Sequence, residues 1–283
     1  MKHLLLFIIL VTAVLAQPSA EIIHRFQAGM DRPTDIALLE DGRICVADGV
    51  NSRVLVFDQS GKHEVLRFAE LKRPLGLAAD LKGGLLITDT EANAVFILDK
   101  YLVLKAQLPL TPEIDATDVL PVGDRLWVVD NDGHQILILD RQGHIKNSIG
   151  HKGTVGPTFN YPSTISLGKE RRIFVCDVLN GRIQLFNVDG SYRGQIADWG
   201  ITQGSLYRPK GIAAHPAGPF VITDSFTGSI HFFKSQSSQG TVLTTGNSEY
   251  LRLENPLGLV WGTEDMLWVV ESGTGDVLGI KIR

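Results

Sequence analysis

Residues 161–190 read YPSTISLGKERRIFVCDVLNGRIQLFNVDG. The stretch places Pro162 second and then carries three short runs rich in Ile, Leu, Val and Phe, divided by glycine- and asparagine-containing turns. Such runs predict strands and hairpins, not helix. Asp177 closes the second run. The same layout recurs along the chain. Asp48, Asp89, Asp130, Asp177, Asp224 and Glu271 each end an apolar run: ICVAD, LLITD, LWVVD, IFVCD, FVITD and LWVVE. The steps between these acids are 41, 41, 47, 47 and 47 residues. A proline stands 15 residues before the acid in five copies, at Pro33, Pro74, Pro162, Pro209 and Pro256. In the third copy Ala116 takes that place, one residue short. A period of this size belongs to stacked repeat architectures. Three strands and a looser fourth per copy predict the blade of a β-propeller.

The chain ends sharpen the count. The sixth copy stops at Arg283, straight after its third strand. Ahead of the first copy lies an orphan run, EIIHRFQ at 21–27, which resembles the outer strand HEVLRF at 63–68. Pairing the orphan onto the last copy closes the ring and removes its exposed edges. The expectation is all-β: six four-stranded antiparallel blades, with the N-terminal strand completing the last.

The pattern PxGIAxD…IYVADxxNxRIQVFDxxG resembles NHL repeats. Asp177, Asn180, Arg182, Ile183 and Phe186 carry it in the fourth copy. Asp48, Asn51, Arg53, Val54 and Phe57 carry it in the first. The linkers IGHKGTVGPTFNYP and WGITQGSLYRP also look like NHL connections. The resemblance spans nearly all of residues 21–283. It implies a six-bladed propeller with a binding face, and no particular reaction.

Residues 1–16 read as a secretory signal peptide: Lys2 and His3, then an apolar run ending on Ala16, with cleavage after Ala20 as the alternative. The run is short for a membrane span, so no span is expected once it is removed. One propeller domain over 21–283 should follow, exported to a periplasm or the cell exterior. The full chain has 27 basic and 31 acidic residues. Loss of Lys2 leaves 26 against 31, a net charge of −5, which argues against nucleic acid as a partner. Cys45 and Cys176 fall in opposite blades, too far apart for the ~7 Å reach of a disulfide. Both read as small hydrophobes, and no disulfide is expected.

The repeat also sorts residues by face. The loop before each proline and the loop after each acid share one face, the top. Two residues after the proline, where inner strands converge, stand Gly76, Gly211 and Gly258. The other three copies hold Asp35, Asp118 and Thr164. Asp35 and Asp118 are either hydrogen-bond acceptors for nearby amides or ligands for a cation such as calcium. Arg32, Arg73 and Arg208 precede their prolines and, with Lys210, form a basic rim. Tyr161, Tyr207 and Tyr250 lie on the longer loops entering blades 4 to 6, a composition suited to protein contact. Phe159 and Trp199, on the same loops, are expected to plug gaps between blades. Trp127 and Trp268 occupy a repeated apolar slot and read as core. His134 is the one histidine in a top loop after a repeated acid, where a solvated ring is the ordinary expectation.

The acid is followed five residues later by Arg53 or Arg182 in two copies, and by Ala94, Gln135, Ser229 and Asp276 in the rest. The acids lacking an arginine, Asp89, Asp130, Asp224 and Glu271, are expected to be freer to meet a ligand. Catalytic signatures are sparse: no GxSxG, no phosphate loop, and histidines scattered round the ring. Amidating lyases resemble the fold but gather several metal-binding histidines. Calcium-dependent lactonases use Glu, Asn and Asp ligands in the channel, which Asp35 and Asp118 match only in part. The leading expectation is therefore an exported, non-enzymatic scaffold or assembly platform that binds a protein through its top face, with no cofactor. The alternative is a calcium-dependent hydrolase or lyase at the channel mouth.

Overall fold

The computed structural model describes residues 18–263 and 265–283. The expected leader, 1–16, lies outside the described residues. Six four-stranded antiparallel sheets surround a central channel. From the axis outward, blade 1 runs Ile36–Leu38, Ile44–Asp48, Arg53–Phe57, His63–Leu66. Blade 2 runs Pro74–Ala79, Leu85–Asp89, Ala94–Leu98, Leu104–Pro109. Blade 3 runs Ala116–Val122, Arg125–Asp130, Gln135–Asp140, Ile145–Ile149, and blade 4 runs Pro162–Leu167, Arg172–Asp177, Arg182–Asn187, Tyr192–Ile196. Blade 5 runs Pro209–Ala214, Phe220–Asp224, Ser229–Phe233, Thr241–Val242. Blade 6 takes Pro256–Trp261, Met266–Glu271 and Asp276–Ile282, with Ala20–Gln27 as its outer strand.

That last pairing closes the ring. Ala20 lies opposite Ile282, and Gln27 opposite Asp276. Arg25 forms an ion pair with the buried Asp276, and Gln27 Nε2 donates to it at 3.1 Å. The expected six-bladed closure is observed, with Ala20–Gln27 beside the last strand.

Second strands alternate their side chains between the two neighbouring blades, as period-2 strands must. Six apolar clusters result, one per blade interface. The residue three before each acid belongs to a different cluster: Cys45, Leu86, Trp127, Phe174, Val221 and Trp268. Each fully buried large side chain of this kind contributes about 1.5–3 kcal/mol. Trp127 and Trp268 are core, as the repeat implied. Cys45 and Cys176 are free and buried in separate sheets, and burial pushes both thiols up to about 12.

At the axis, hydroxyls bond across neighbouring inner strands. Thr34 donates to the Leu75 carbonyl at 2.7 Å, Thr117 to Ser163 at 3.0 Å, and Thr164 to Lys210 at 2.8 Å. This close approach explains the glycines: a Cβ at Gly211 would lie 2.2 Å from the Leu257 carbonyl oxygen. Among the described residues no helix is long and apolar enough to cross a membrane.

Candidate functional site

The six repeated acids are the first candidates to settle. All are buried. Asp48 accepts from Arg53 Nε at 2.6 Å, and Asp177 from Arg182 Nε at 2.8 Å. The acids without an arginine are not free, contrary to expectation. Asp89 accepts the amides of Lys72, Arg73, Glu91 and Ala92. Asp224 accepts those of Tyr207, Arg208, Phe226 and Thr227. Asp130 takes the Asp115 and Gly133 amides with the Gln135 side chain, and Glu271 the Glu254, Asn255 and Gly273 amides. Each carboxylate ties the loop entering a blade to the loop leaving its second strand. A carboxylate has about four acceptor positions, so these acids are filled by their own loops.

The channel holds the next candidates. Asp35 and Asp118 line a cavity of about 250 Å³, walled largely by inner strands. Asp35 Oδ2 accepts the Leu77 amide at 2.8 Å, from blade 2. Asp118 Oδ2 accepts the Ile165 amide at 2.9 Å, from blade 4, and its Oδ1 that of Val119 at 2.7 Å. Each aspartate thus bonds its blade to the next through a strand amide. In blades 2 and 5, where glycine stands instead, Thr88 and Thr223 accept the glycine amide. Burial drives the Asp35 carboxyl up to about 7. Burial first, and the Asp35 charge second, drives Asp118 well above its ordinary value. The two carboxyls therefore oppose each other's ionisation. Above them a cavity of about 360 Å³ opens, lined by Thr34, Asn131, Lys210, Ser225 and Asn255 among others. Burial lowers the Lys210 pKa. Among the described residues no three His, Cys, Asp or Glu side chains gather as a metal would need.

The top rim carries the third group. Arg32 and Arg73 are exposed. Arg32 pairs with neighbouring Asp31 at 3.3 Å. His134 departs from expectation: it is buried, its Nδ1 accepts the Tyr161 amide at 3.0 Å, and the two rings meet edge-on at 4.5 Å. Phe159 is fully buried, as expected. Trp199 is not a plug. It is 60% exposed and lies 5.0 Å from Tyr207, which stacks on Phe226 at 4.1 Å. Arg208 stands over the Phe226 ring at 6.0 Å. Trp199 packs one ring edge on Gly181, where an added Cβ would meet both its Cα and its Cδ1 at 2.8 Å, and leaves the rest of the ring in solvent. Tyr250 is exposed under Arg252, 5.8 Å from its ring.

The top of blade 5 thus presents a contiguous Trp199–Tyr207–Phe226 stack flanked by Arg208, with Ile201 also exposed. Sequence reasoning missed Phe226. The repeat held the signal: two residues after the acid the copies read Val50, Glu91, Asp132, Leu179, Phe226 and Gly273, and only one is aromatic.

Six four-stranded antiparallel sheets around a central channel define a β-propeller. The NHL repeat profile matches residues 30–57, and the layout of that segment runs through all six blades, so the chain is a six-bladed propeller similar to NHL-repeat proteins. The human E3 ubiquitin-protein ligase NHLRC1 is 24% identical over 139 residues, which are 49% of this chain and 33% of that protein. The match therefore spans about a third of that relative's length. Among solved structures, virginiamycin B lyase from Staphylococcus aureus superimposes with a TM-score of 0.67 at 15% identity, covering 94% of this chain and 99% of that one. A putative gluconolactonase gives 0.70 at 13%, covering 95% and 93%. A gluconolactonase from Xanthomonas campestris gives 0.67 at 15%, covering 90% and 87%. Identities this low establish a shared fold and leave the chemistry open.

Proposed function

We propose that this protein is exported and serves as a non-enzymatic platform that binds another protein through the top of blades 4 to 6. The observation that supports this most is the exposed Trp199–Tyr207–Phe226 stack. Trp199 and Phe226 are each 60% exposed, and no nearer shell covers them. Stacked aromatics with an arginine beside them supply large contact area at low entropic cost and are typical interface anchors. They stand on a closed ring whose loops are pinned by buried acids, so the surface is pre-organised. Arg208 and Lys210 add positive charge near the channel mouth, suiting a partner with acidic groups at its edge. Tyr161 and Tyr250 extend the surface on either side.

The test is site-specific crosslinking from a photoreactive residue at position 207 in native extracts. One discrete partner, lost on Phe226→Ala, supports the reading. Capture only from a bottom-face position such as Lys169 would defeat it.

A calcium-dependent hydrolase or lyase is the second reading, because two acids share the channel. Calcium needs several ionised or carbonyl oxygens at once. Asp35 and Asp118 instead have oxygens committed to strand amides, and burial holds both toward the protonated form. A large calcium-induced rise in melting temperature, abolished by Asp35→Asn, would favour this reading over the platform.

A further inference from the structure

A cavity of about 880 Å³ lies at the top outer edge of blade 5. Its origin is visible when blade 5 is laid on blade 4. In blade 4, Arg182 fills the space beside the repeated acid. Its Nε donates to Asp177 at 2.8 Å, its Nη1 to Gln195 Oε1 at 2.7 Å, and its Nη2 to the Thr158 carbonyl at 2.9 Å. Gln184 Nε2 adds bonds to the same carbonyl and to Asp177. The counterparts in blade 5 are Asp224, Ser229, His231, Val242 and Ser205, and all five line the cavity. Serine stands where arginine stood, histidine where glutamine stood, and valine where the glutamine acceptor stood. The outer strand is cut to two residues, Thr241–Val242, and Ser19, Thr244 and Tyr250 line the cavity beyond it.

The other blades fill this position from within. Blade 1 does so with Arg53, which bonds Asp48 and the Gly29 carbonyl. Blade 3 uses Gln135, and blade 6 receives Arg25 from the N-terminal strand. In blade 2 the fully buried Ala94 lies opposite Pro109 of a six-residue outer strand. Among the described residues, blade 5 alone leaves the position open.

What remains there is rich in acceptors. Asp224 contributes a buried negative charge with no ion-pair partner among the described residues, its oxygens held by four loop amides and not by an arginine as in blades 1 and 4. No described side chain donates to the Ser205 carbonyl, the counterpart of Thr158. His231 is 5% exposed, lies 3.0 Å from Ser229 Oγ through Nε2, and its Nδ1 has no partner. Burial lowers the His231 pKa, so the ring is neutral and able to accept. The exposed Phe226 and Tyr250 rings are also among the lining residues, and aromatic faces attract cations. One group opposes a cation: Arg252 also lines the cavity, with its Nη1 donating to the Thr227 carbonyl at 2.6 Å.

We infer that this cavity is a binding site for a guanidinium group, supplied in trans as an arginine side chain of the bound partner, in the position that Arg182 and Arg53 occupy in their own blades. A guanidinium brings five donors in a planar fork to a site whose acceptors already recur in the repeat. The proposal deepens the platform reading and can fail without it, because a free amino-acid amide tests it with no partner present.

The probe is N-acetyl-arginine methylamide, titrated into the intact exported chain and followed by NMR of the His231 ring, with the neutral citrulline analogue as control. Arginine amide should bind at least tenfold tighter than citrulline amide. Ser229→Arg fills the position internally and should abolish the response while keeping the native fold by circular dichroism. Arg252→Gln should tighten binding by removing the opposing charge. Equal affinity for the two amides, or binding unchanged in Ser229→Arg, would overturn the proposal. If the arginine amide passes and crosslinking at position 207 finds no partner, the platform reading alone falls.

Discussion

Blades 4 and 5 are built on one repeat and finish differently. In blade 4 a five-residue outer strand, Tyr192–Ile196, covers the third strand. Arg182, Gln184 and Gln195 then fill the space beneath it, and the first two bond Asp177 and the Thr158 carbonyl. In blade 5 two residues do that work, and Ser229 and His231 leave a cavity beside an equally buried acid. Both acids hold the entering loop: Asp177 accepts the Asn160 amide, and Asp224 those of Tyr207 and Arg208. The fold-bearing half of the repeat is thus preserved while the filling half is dispensable. A propeller tolerates this because each blade contacts only its neighbours. One blade's outer edge can be opened while the ring stays whole, and recognition can concentrate there.

Outer strands offer the harshest way to probe that contrast. Removing residues 20–27 takes away the whole outer strand of blade 6 and the Arg25–Asp276 pair. Loss of cooperative unfolding by calorimetry is expected, since the ring can no longer close. A deletion variant that still melts cooperatively near the parent temperature would show that closure is not needed.

Next comes the filled position itself. Arg182→Ala leaves Asp177 buried with fewer donors and should cost about 3–5 kcal/mol in chemical denaturation. Ser229→Ala should cost below about 1 kcal/mol, because nothing charged is orphaned. Equal costs would erase the distinction between the two blades.

The channel gives a pH signature that is independent of either blade edge. A carboxyl whose pKa is higher in the folded chain binds more protons there than in the unfolded chain. Stability is then greatest below the ordinary carboxylate value of 3.8 and falls as pH rises toward about 7. Asp118 adds to the same trend. Asp35→Asn keeps an acceptor for the Leu77 amide and carries no charge. Its melting temperature should exceed that of the parent by roughly 5 °C at pH 8 and converge with it near pH 4. A variant that melts lower at pH 8 would mean that the ionised Asp35 is stabilising.

Phe226→Ala should move stability least, by less than about 0.5 kcal/mol, because the ring is solvent-facing. Its effect should appear in partner capture instead. A large stability loss would mark the stack as structural cover.

The sequence reading reached the architecture because the repeat states it six times over. Acid, proline and apolar slot each have a physical cause that acts equally in every blade, so even the orphan strand at 21–27 could be placed. It reached Asp35, Asp118, Lys210 and Tyr207 as residues near the top or channel for the same reason. It failed where the loops depart from the repeat. Large apolar side chains usually fill gaps, yet Trp199 rests only an edge on Gly181 and leaves most of its ring exposed. His134 was assigned to solvent, and the Tyr161 amide claims its Nδ1 instead. The free state expected of Asp89, Asp130, Asp224 and Glu271 overlooked backbone amides, which leave no mark in a residue list. The open edge of blade 5 was half legible: Ser229 in the arginine position was visible, while the two-residue outer strand was not.

Thermal unfolding of Ser229→Arg tests the contrast between the two blades most directly. An arginine introduced there should be drawn by the Asp224 charge and reach the Ser205 carbonyl, as Arg182 reaches that of Thr158, and the melting temperature should equal or exceed that of the parent. A drop of roughly 5 °C or more, the response to a buried charge without partners, would mean that blade 5 does not keep an arginine position open.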